Sequence, residues 1–174
     1  MQCTRSLGFR VKYLAFHDYI SGLPNKQKFF LDTEAELNKA HQQDAPISLT
    51  LLSIDHIDII EDKYGLEAPD ATMKTLASIT PKAFGRFSYA KLSDATIAIL
   101  LIGLTLEQAA KLTESFRCLA EDQLVLMDEV SFNFTISAGI VQSKTNNIND
   151  LLRRADNRLH LAKENGGNTI HTED

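Results

Sequence analysis

Cysteine is nearly missing from this chain: Cys3 and Cys118 are the only two. Thiols this far apart build no disulfide framework and lack the spacing of a metal site, which excludes a small cross-linked scaffold and a zinc module. They read as incidental thiols of a reduced, cytoplasmic domain. Long apolar runs are missing too. No stretch approaches the roughly 20 residues that a membrane span needs, and Met1 to Arg10 lacks the apolar core of a signal peptide. Nor is positive charge in excess, since 18 Lys and Arg stand against 23 Asp and Glu for a net charge of -5. Phosphate neutralisation needs a basic face, so nucleic acid is not an expected partner. Nucleophile-base pairs, Walker loops, repeats and low-complexity stretches are absent as well.

What is present is ordinary for one globular domain. The chain has 174 residues, 44% hydrophobic and 24% charged, enough to bury a proper core. Leu7, Val11 and Leu14 keep helical spacing up to Phe16, as if a helix entered from upstream, and the chain is expected to be a piece of a longer protein. Residues 1–16 are therefore assigned as a linker or signalling helix and 17–174 as the domain. Ser21-Gly22-Leu23-Pro24-Asn25 is a turn cluster, with Asn25 placed to cap the next helix. That helix carries Phe30, Thr33, Leu37 and Ala40 on one side and closes before Pro46.

Ile47 to Ile54 reads as a central strand buried on both faces. Asp55 ends it and is expected to cap a short helix through Tyr64, broken at Gly65. A further helix spans about Pro69 to Ile79. Phe87 to Leu92 and Ile97 to Ile102 form a hairpin turning at Ser93 and Asp94. Thr105 with Gln108 makes a capping box for a helix striped by Ala109, Leu112, Phe116 and Leu119. Phe132, Phe134, Ile136, Ala138 and Ile140 alternate as a half-buried strand, in which Gly139 marks close backbone packing. Leu152, Ala155, Leu159 and Ala162 line a last helix ending at Gly166-Gly167, and Asn168 to His171 add an edge strand. The core order β-α-α-β-β-α-β-α predicts an α/β (α+β) fold: a mixed, mostly antiparallel sheet flanked by helices in a ferredoxin-like arrangement.

Four segments resemble the GGDEF family of diguanylate cyclases, over about Tyr13 to Ile170. His17-Asp18-Tyr19-Ile20-Ser21-Gly22-Leu23-Pro24-Asn25 is similar to the family's D-x-L-T-G-L-P-N-R entry. Leu51-Leu52-Ser53-Ile54-Asp55-His56-Ile57 resembles L-L-D-I-D-H-F, with Lys63-Tyr64-Gly65 at the right distance. Lys91 to Leu101 occupies the place of R-x-G-G-D-E-F-A-I-L-L. Thr135 to Ile140, then Leu151 to Asp156 and Ala162 to Gly166, match the closing strand and helix. The resemblance implies the nucleotide-cyclase fold. Active members dimerise and join two GTP molecules into cyclic di-GMP, which requires divalent metal on carboxylates and glycines that let backbone approach the nucleotide.

Carried onto this chain, those positions are changed. The metal-binding Asp at the end of the first strand falls on Ser53, the two glycines on Ser93 and Asp94, the acidic pair on Ala95 and Thr96, and the Phe on Ile97. The Asn that reads guanine falls on Glu61, while its acidic partner is kept as Asp70. Lys163 is kept near the phosphates, the following Arg falls on Gly167, and a lysine falls on Asp58. The RxxD inhibitory site falls on Phe84 and Phe87. The resemblance thus implies no catalytic residues, no metal site and no inhibitory site. Glu61, Asp70 and Lys163 are left as vestiges of a nucleotide site.

Two acids lie near the old metal position. Asp55 shares a face with Ser53 by strand alternation, but helix capping accounts for it, and Asp94 suits a hairpin turn. Arg153, Arg154, Arg158 and Lys163 make the last helix basic, read as solvated charge or as phosphate contacts. His56 reads as a surface residue, His17-Asp18 as the tie to the incoming helix, and Asp156 as a buried paired charge. The expected function is a catalytically inactive regulatory or interaction domain in cyclic di-GMP signalling, with no cofactor. The alternatives are GTP binding without turnover that controls an adjoining EAL phosphodiesterase domain, and weak cyclase activity. Expected partners are a sensor or EAL domain of the same chain, a protein partner or a second copy.

Overall fold

The computed structural model describes residues 2–143 and 145–173. The side chains of 2–7 and 9 fall outside that description, and with them the expectations for Cys3 and Leu7. The first helix, α1 (Gln2–Phe16), leaves Val11 and Leu14 exposed. A bend follows in which the Asn25 side chain turns back to the carbonyl of Ala15 and its backbone N–H donates to Phe16. The same Asn25 side chain accepts from the Lys28 N–H, so one residue closes α1 and caps α2 (Lys26–Gln42). Helix α2 buries Phe29, Thr33, Leu37 and Ala40. Phe30, expected on that stripe, is only half-buried. Of two adjacent phenylalanines, helical geometry can bury one against the sheet.

The sheet has the order β2-β3-β1-β6-β7. Its centre is β1 (Ile47–Ile54), every residue of which is buried. It pairs antiparallel with β3 (Thr96–Ile102) on one side and β6 (Ile136–Gln142) on the other. β2 (Ser88–Lys91) forms one edge, and β7 (Ile170–Thr172) runs parallel to β6 at the other. The mixed, mostly antiparallel sheet agrees with the predicted fold class, and the edge strand lies within a residue or two of its expected place.

Strand alternation sorts the β1 side chains into two cores. Leu52 and Ile54 pack with α4 (Ala68–Phe84) and α5 (Leu106–Glu121), and Leu49 and Leu51 with α2 and α6 (Ile148–Glu164). Each fully buried Leu, Ile or Phe contributes about 1.5–3 kcal/mol relative to exposure. The short α3 (Ile57–Tyr64) covers the end of the first core. A buried hydroxyl pair, Thr50 with Thr113 at 2.9 Å, fixes α5 over β1.

Further expectations needed correction. Helix α4 continues past Ile79 and through Pro81 to Phe84. Ile79, Thr80 and Phe84 are all buried on it, so packing outweighs the missing proline hydrogen bond. The stripe on α5 is Ala109, Thr113, Phe116 and Ala120, and Leu119 is exposed. Lastly, Phe132 to Ile140 is not one strand. Val130–Phe132 is β5, which pairs with β4 (Val125–Met127) in a separate hairpin, and β6 starts only at Ile136.

Candidate functional site

The sheet brings Ser53, Thr96 and Lys163 of the sequence-selected positions together at the C-terminal end of β1. Ser53 lies opposite Thr96 of β3 on one side and Ser137 of β6 on the other. The β2–β3 turn folds over this end: Leu92 donates to the Thr96 carbonyl at 2.9 Å, and Ile54 donates to Ala95 at 2.9 Å. Ser93 and Asp94 at the tip are exposed, Ala95 and Thr96 half-buried, and Ile97 is in the core. From α6, Lys163 reaches across and donates to the Ser53 hydroxyl at 2.8 Å. Ser53, Thr96, Asp156, Asn157, His160 and Lys163 help to line an open hollow of about 460 Å³.

Asp55 does something other than the sequence predicts. His56, with a left-handed φ of 54°, takes the cap position of α3 without a capping side chain. The Asp55 carboxylate turns toward β6 and is 4% exposed. It accepts from Thr135 Oγ1, Ser137 Oγ and the Asn168 N–H, each at 2.7 Å. These three donors are more than 75 positions away in sequence, which is why a local capping rule missed them. Gly167 passes so close that a Cβ there would stand 3.0 Å from the carboxylate, and its φ of 75° is one that L side chains rarely adopt. The position that the family resemblance gives to an arginine is shaped for glycine here.

Other expectations divide. Asp156 is exposed, because α6 buries Leu151, Ala155, Leu159 and Ala162 and turns residue 156 outward. Arg153 pairs with Asp150 at 2.8 Å, and Arg154 with Asp150, Glu173 and the Gln142 carbonyl. Arg154 thus ties α6 to β6 and to the segment after β7, whereas Arg153 pairs within α6. Gly139 is confirmed as a contact point, since a Cβ there would lie 2.1 Å from the Ala155 carbonyl and 2.3 Å from the Leu159 nitrogen. Asp70 is exposed and lines a different hollow, with Lys74 and Leu126. Glu61 is half-buried and Asp58 exposed, both on α3. Phe84 is in the core against Phe116, ring centroids 4.9 Å apart, and Phe87 lies under the Arg86 guanidinium at 4.7 Å.

The entry turn is wired to this end of the sheet. Asp18 accepts from the Ser21 N–H and hydroxyl at 2.7 and 2.8 Å and from buried Lys91 at 3.2 Å. Burial alone would raise the Asp18 pKa, but the Ser21 donors and the Lys91 ammonium outweigh it and hold the carboxyl below its ordinary value. Lys91 begins the turn at Ser93, so α1, the entry turn and the hairpin tip are mechanically continuous, as expected for His17-Asp18.

Residues 15–169 match the family model described as diguanylate cyclase, GGDEF domain. The chain belongs to the GGDEF family. The probable diguanylate cyclase DgcT of Escherichia coli is 29% identical over 168 residues, covering 94% of this chain and 37% of DgcT. The chain spans under half the length of relatives such as DgcT and YhcK of Bacillus subtilis. Among solved structures, the coiled coil and GGDEF domain of DgcB from Caulobacter crescentus, in complex with c-di-GMP, superposes with a TM-score of 0.90. It is 20% identical, with 99% of this chain and 93% of that one covered. The FimX GGDEF domain from Pseudomonas aeruginosa gives 0.83 at 25% identity, covering 91% of this chain and 99% of that one. The GGDEF fold is thus established over residues 15–169.

Divalent metal is what the family chemistry calls for, and the donors around this hollow do not fit it. Mg²⁺ takes carboxylate, phosphate and water oxygens. Here the hollow is lined by hydroxyls, an ammonium and the single carboxylate of Asp156, and Asp55 already accepts three hydrogen bonds. Among the described residues, no three His, Cys, Asp or Glu side chains gather as a metal site requires. Nor, among them, is any helix long and apolar enough to cross a membrane.

Proposed function

We propose that this GGDEF domain is a non-catalytic regulatory or interaction module in cyclic di-GMP signalling. The observation that carries the reading is the hydrogen bond from Lys163 to Ser53 at the end of β1. An ammonium on a hydroxyl stands where metal-dependent chemistry needs carboxylates, and a positive charge there opposes the approach of a divalent cation. Ser93 and Asp94 also give the hairpin tip side chains where nucleotide would need bare backbone. The test is a long incubation of purified protein with GTP and Mg²⁺. No cyclic di-GMP is expected, and its accumulation would overturn the reading and leave the domain a weak cyclase.

Regulation requires a route out of the domain. Helix α1 supplies it, with Val11 and Leu14 exposed and Asn25 and Asp18 fastening it to the domain and to Lys91. The matching segment of the DgcB structure includes a coiled coil, which supports α1 as the element that meets a sensor, a second copy or another partner. An EAL phosphodiesterase on the same chain is the output domain this reading favours, in the cytoplasm.

A second reading is GTP binding without turnover. It is favoured by Lys163, for which no carboxylate partner is present among the described residues although it lines a hollow of nucleotide-compatible size. Calorimetry with GTP separates the two readings, since an interaction module without a nucleotide site gives no binding heat.

A further inference from the structure

We propose that the corner formed by the end of α3, the start of α4 and the β4–β5 hairpin receives helix α1 of a second copy of this chain. The proposal deepens the interaction-module reading above and rests on it. It begins from apolar side chains that the fold leaves uncovered. Leu126 on β4 is 74% exposed, and Leu66, in the turn between α3 and α4, is 83% exposed. Leu126 lines an open hollow of about 560 Å³ together with Glu67, Asp70, Lys74 and Asp128. The Tyr64 ring stacks on Phe132 at 4.1 Å, which holds the end of α3 beside the hairpin. Leu66 and Leu126 therefore belong to one corner of the domain.

Charge selects the occupant. Glu61, Asp62, Glu67, Asp70, Asp128 and Glu129 stand around this corner against Lys63 and Lys74. Among the described residues none of these acids is in an ion pair, whereas Asp18, Asp32, Glu107, Glu114 and Asp150 are all paired. An apolar patch rimmed by unpaired negative charge suits a helix that carries apolar and basic side chains together. Helix α1 is such a helix. It contains Arg5, Arg10 and Lys12 and no acid, while every other described helix has Asp or Glu. Val11, Tyr13 and Leu14 are exposed on it. The Asn25 bonds to Ala15 and Phe16 hold α1 in an orientation that leaves these three uncovered by their own domain. Each copy thus offers one helix and one corner. A reciprocal pair closes as a two-fold dimer in which both surfaces are covered.

The experiment is sedimentation velocity on the purified chain. A dimer is expected, its dissociation constant rising about tenfold or more between about 50 and 500 mM salt as the charges are screened. Val11→Asp and Leu126→Asp should each sediment as monomers, and both should melt like the parent because these side chains are exposed. Mixed together they should associate again, more weakly, through one intact contact. Val11→Asp keeps the acidic corner, and Leu126→Asp keeps the helix. Arg10→Glu combined with Lys12→Glu should weaken the dimer about tenfold or more at low salt. If α1 paired with α1, Leu126→Asp would stay dimeric and the mixture would gain nothing; that result overturns the proposal. A chain that is monomeric at both salt concentrations overturns it too, and leaves the interaction reading standing for a different partner. That reading falls separately, on accumulation of cyclic di-GMP from GTP and Mg²⁺.

Discussion

Ser53, the penultimate residue of β1, and Asp55, just past its end, are both buried with one residue between them, yet their partners differ. Asp55 is buried among Thr135, Ser137 and the Asn168 N–H, its carboxylate fully engaged. Ser53 meets a single lysine from an exposed stretch of α6. The acid that is kept closes the fold, joining β1 to β6 and to the turn after α6. The position without its acid faces an open hollow. A carboxylate with three internal donors is needed for stability whatever the domain does, whereas a carboxylate aimed at solvent is needed only for chemistry. On this strand the two requirements fall on separate residues, so one can be lost while the scaffold stays.

The strongest way to break that contrast is to remove the platform both positions share. Gly139→Val should cost more than about 4 kcal/mol and leave little folded protein, because the side chain would enter the α6 backbone. Urea unfolding and circular dichroism would show it, and a native-like melt would mean that α6 can lift away from β6. Next, Asp55→Ala should destabilise by about 3 kcal/mol, since it leaves buried donors without an acceptor. A loss below about 1 kcal/mol would reduce Asp55 to an ordinary surface acid.

Acid provides a milder probe at the entry turn. The Asp18 pKa is lowered by folding, so its contribution is present above the unfolded value of about 3.9 and is lost as pH falls through the folded one. Asp18→Asn should therefore cost about 1 kcal/mol at neutral pH and flatten the acid limb of stability below about pH 4. Parallel urea midpoints against pH would reveal it; identical slopes would contradict the lowered value. The smallest effect belongs to the open side of the comparison. Lys163→Met should change stability by no more than about 0.5 kcal/mol, so that any effect on ligand binding can be read without a folding correction.

Much of the fold was legible because it is written in local patterns. The apolar run of β1, the Thr105–Gln108 capping box and the Asn25 cap are each decided by residues within a few positions. The errors share a cause. Phe29 rather than Phe30, and Leu151 rather than Leu152, depend on the rotation of a helix against the sheet, and two adjacent apolar residues do not fix that rotation. The β4–β5 hairpin escaped because its strands are three residues each and leave Leu126 and Val130 exposed. The Asp128-Glu129 turn between them was its available signal. At the site, the family pattern located Ser53, Thr96 and Lys163, and the structure joined them. The three donors on Asp55 and the pair of Arg154 with Glu173 required the tertiary structure, since no spacing rule links residues from distant elements.

β1 is paired on both sides and covered on both faces, and that has a consequence on the clock of hydrogen exchange. The amides of Leu51 and Leu52 should be among the last in the chain to take up deuterium, opening only when the domain unfolds globally. The hairpin tip at Ser93 and Asp94 and the exposed end of α6 should label much sooner. Whatever the domain senses or transmits will thus be read as labelling that slows or quickens at the tip and at α6, against an unchanging centre.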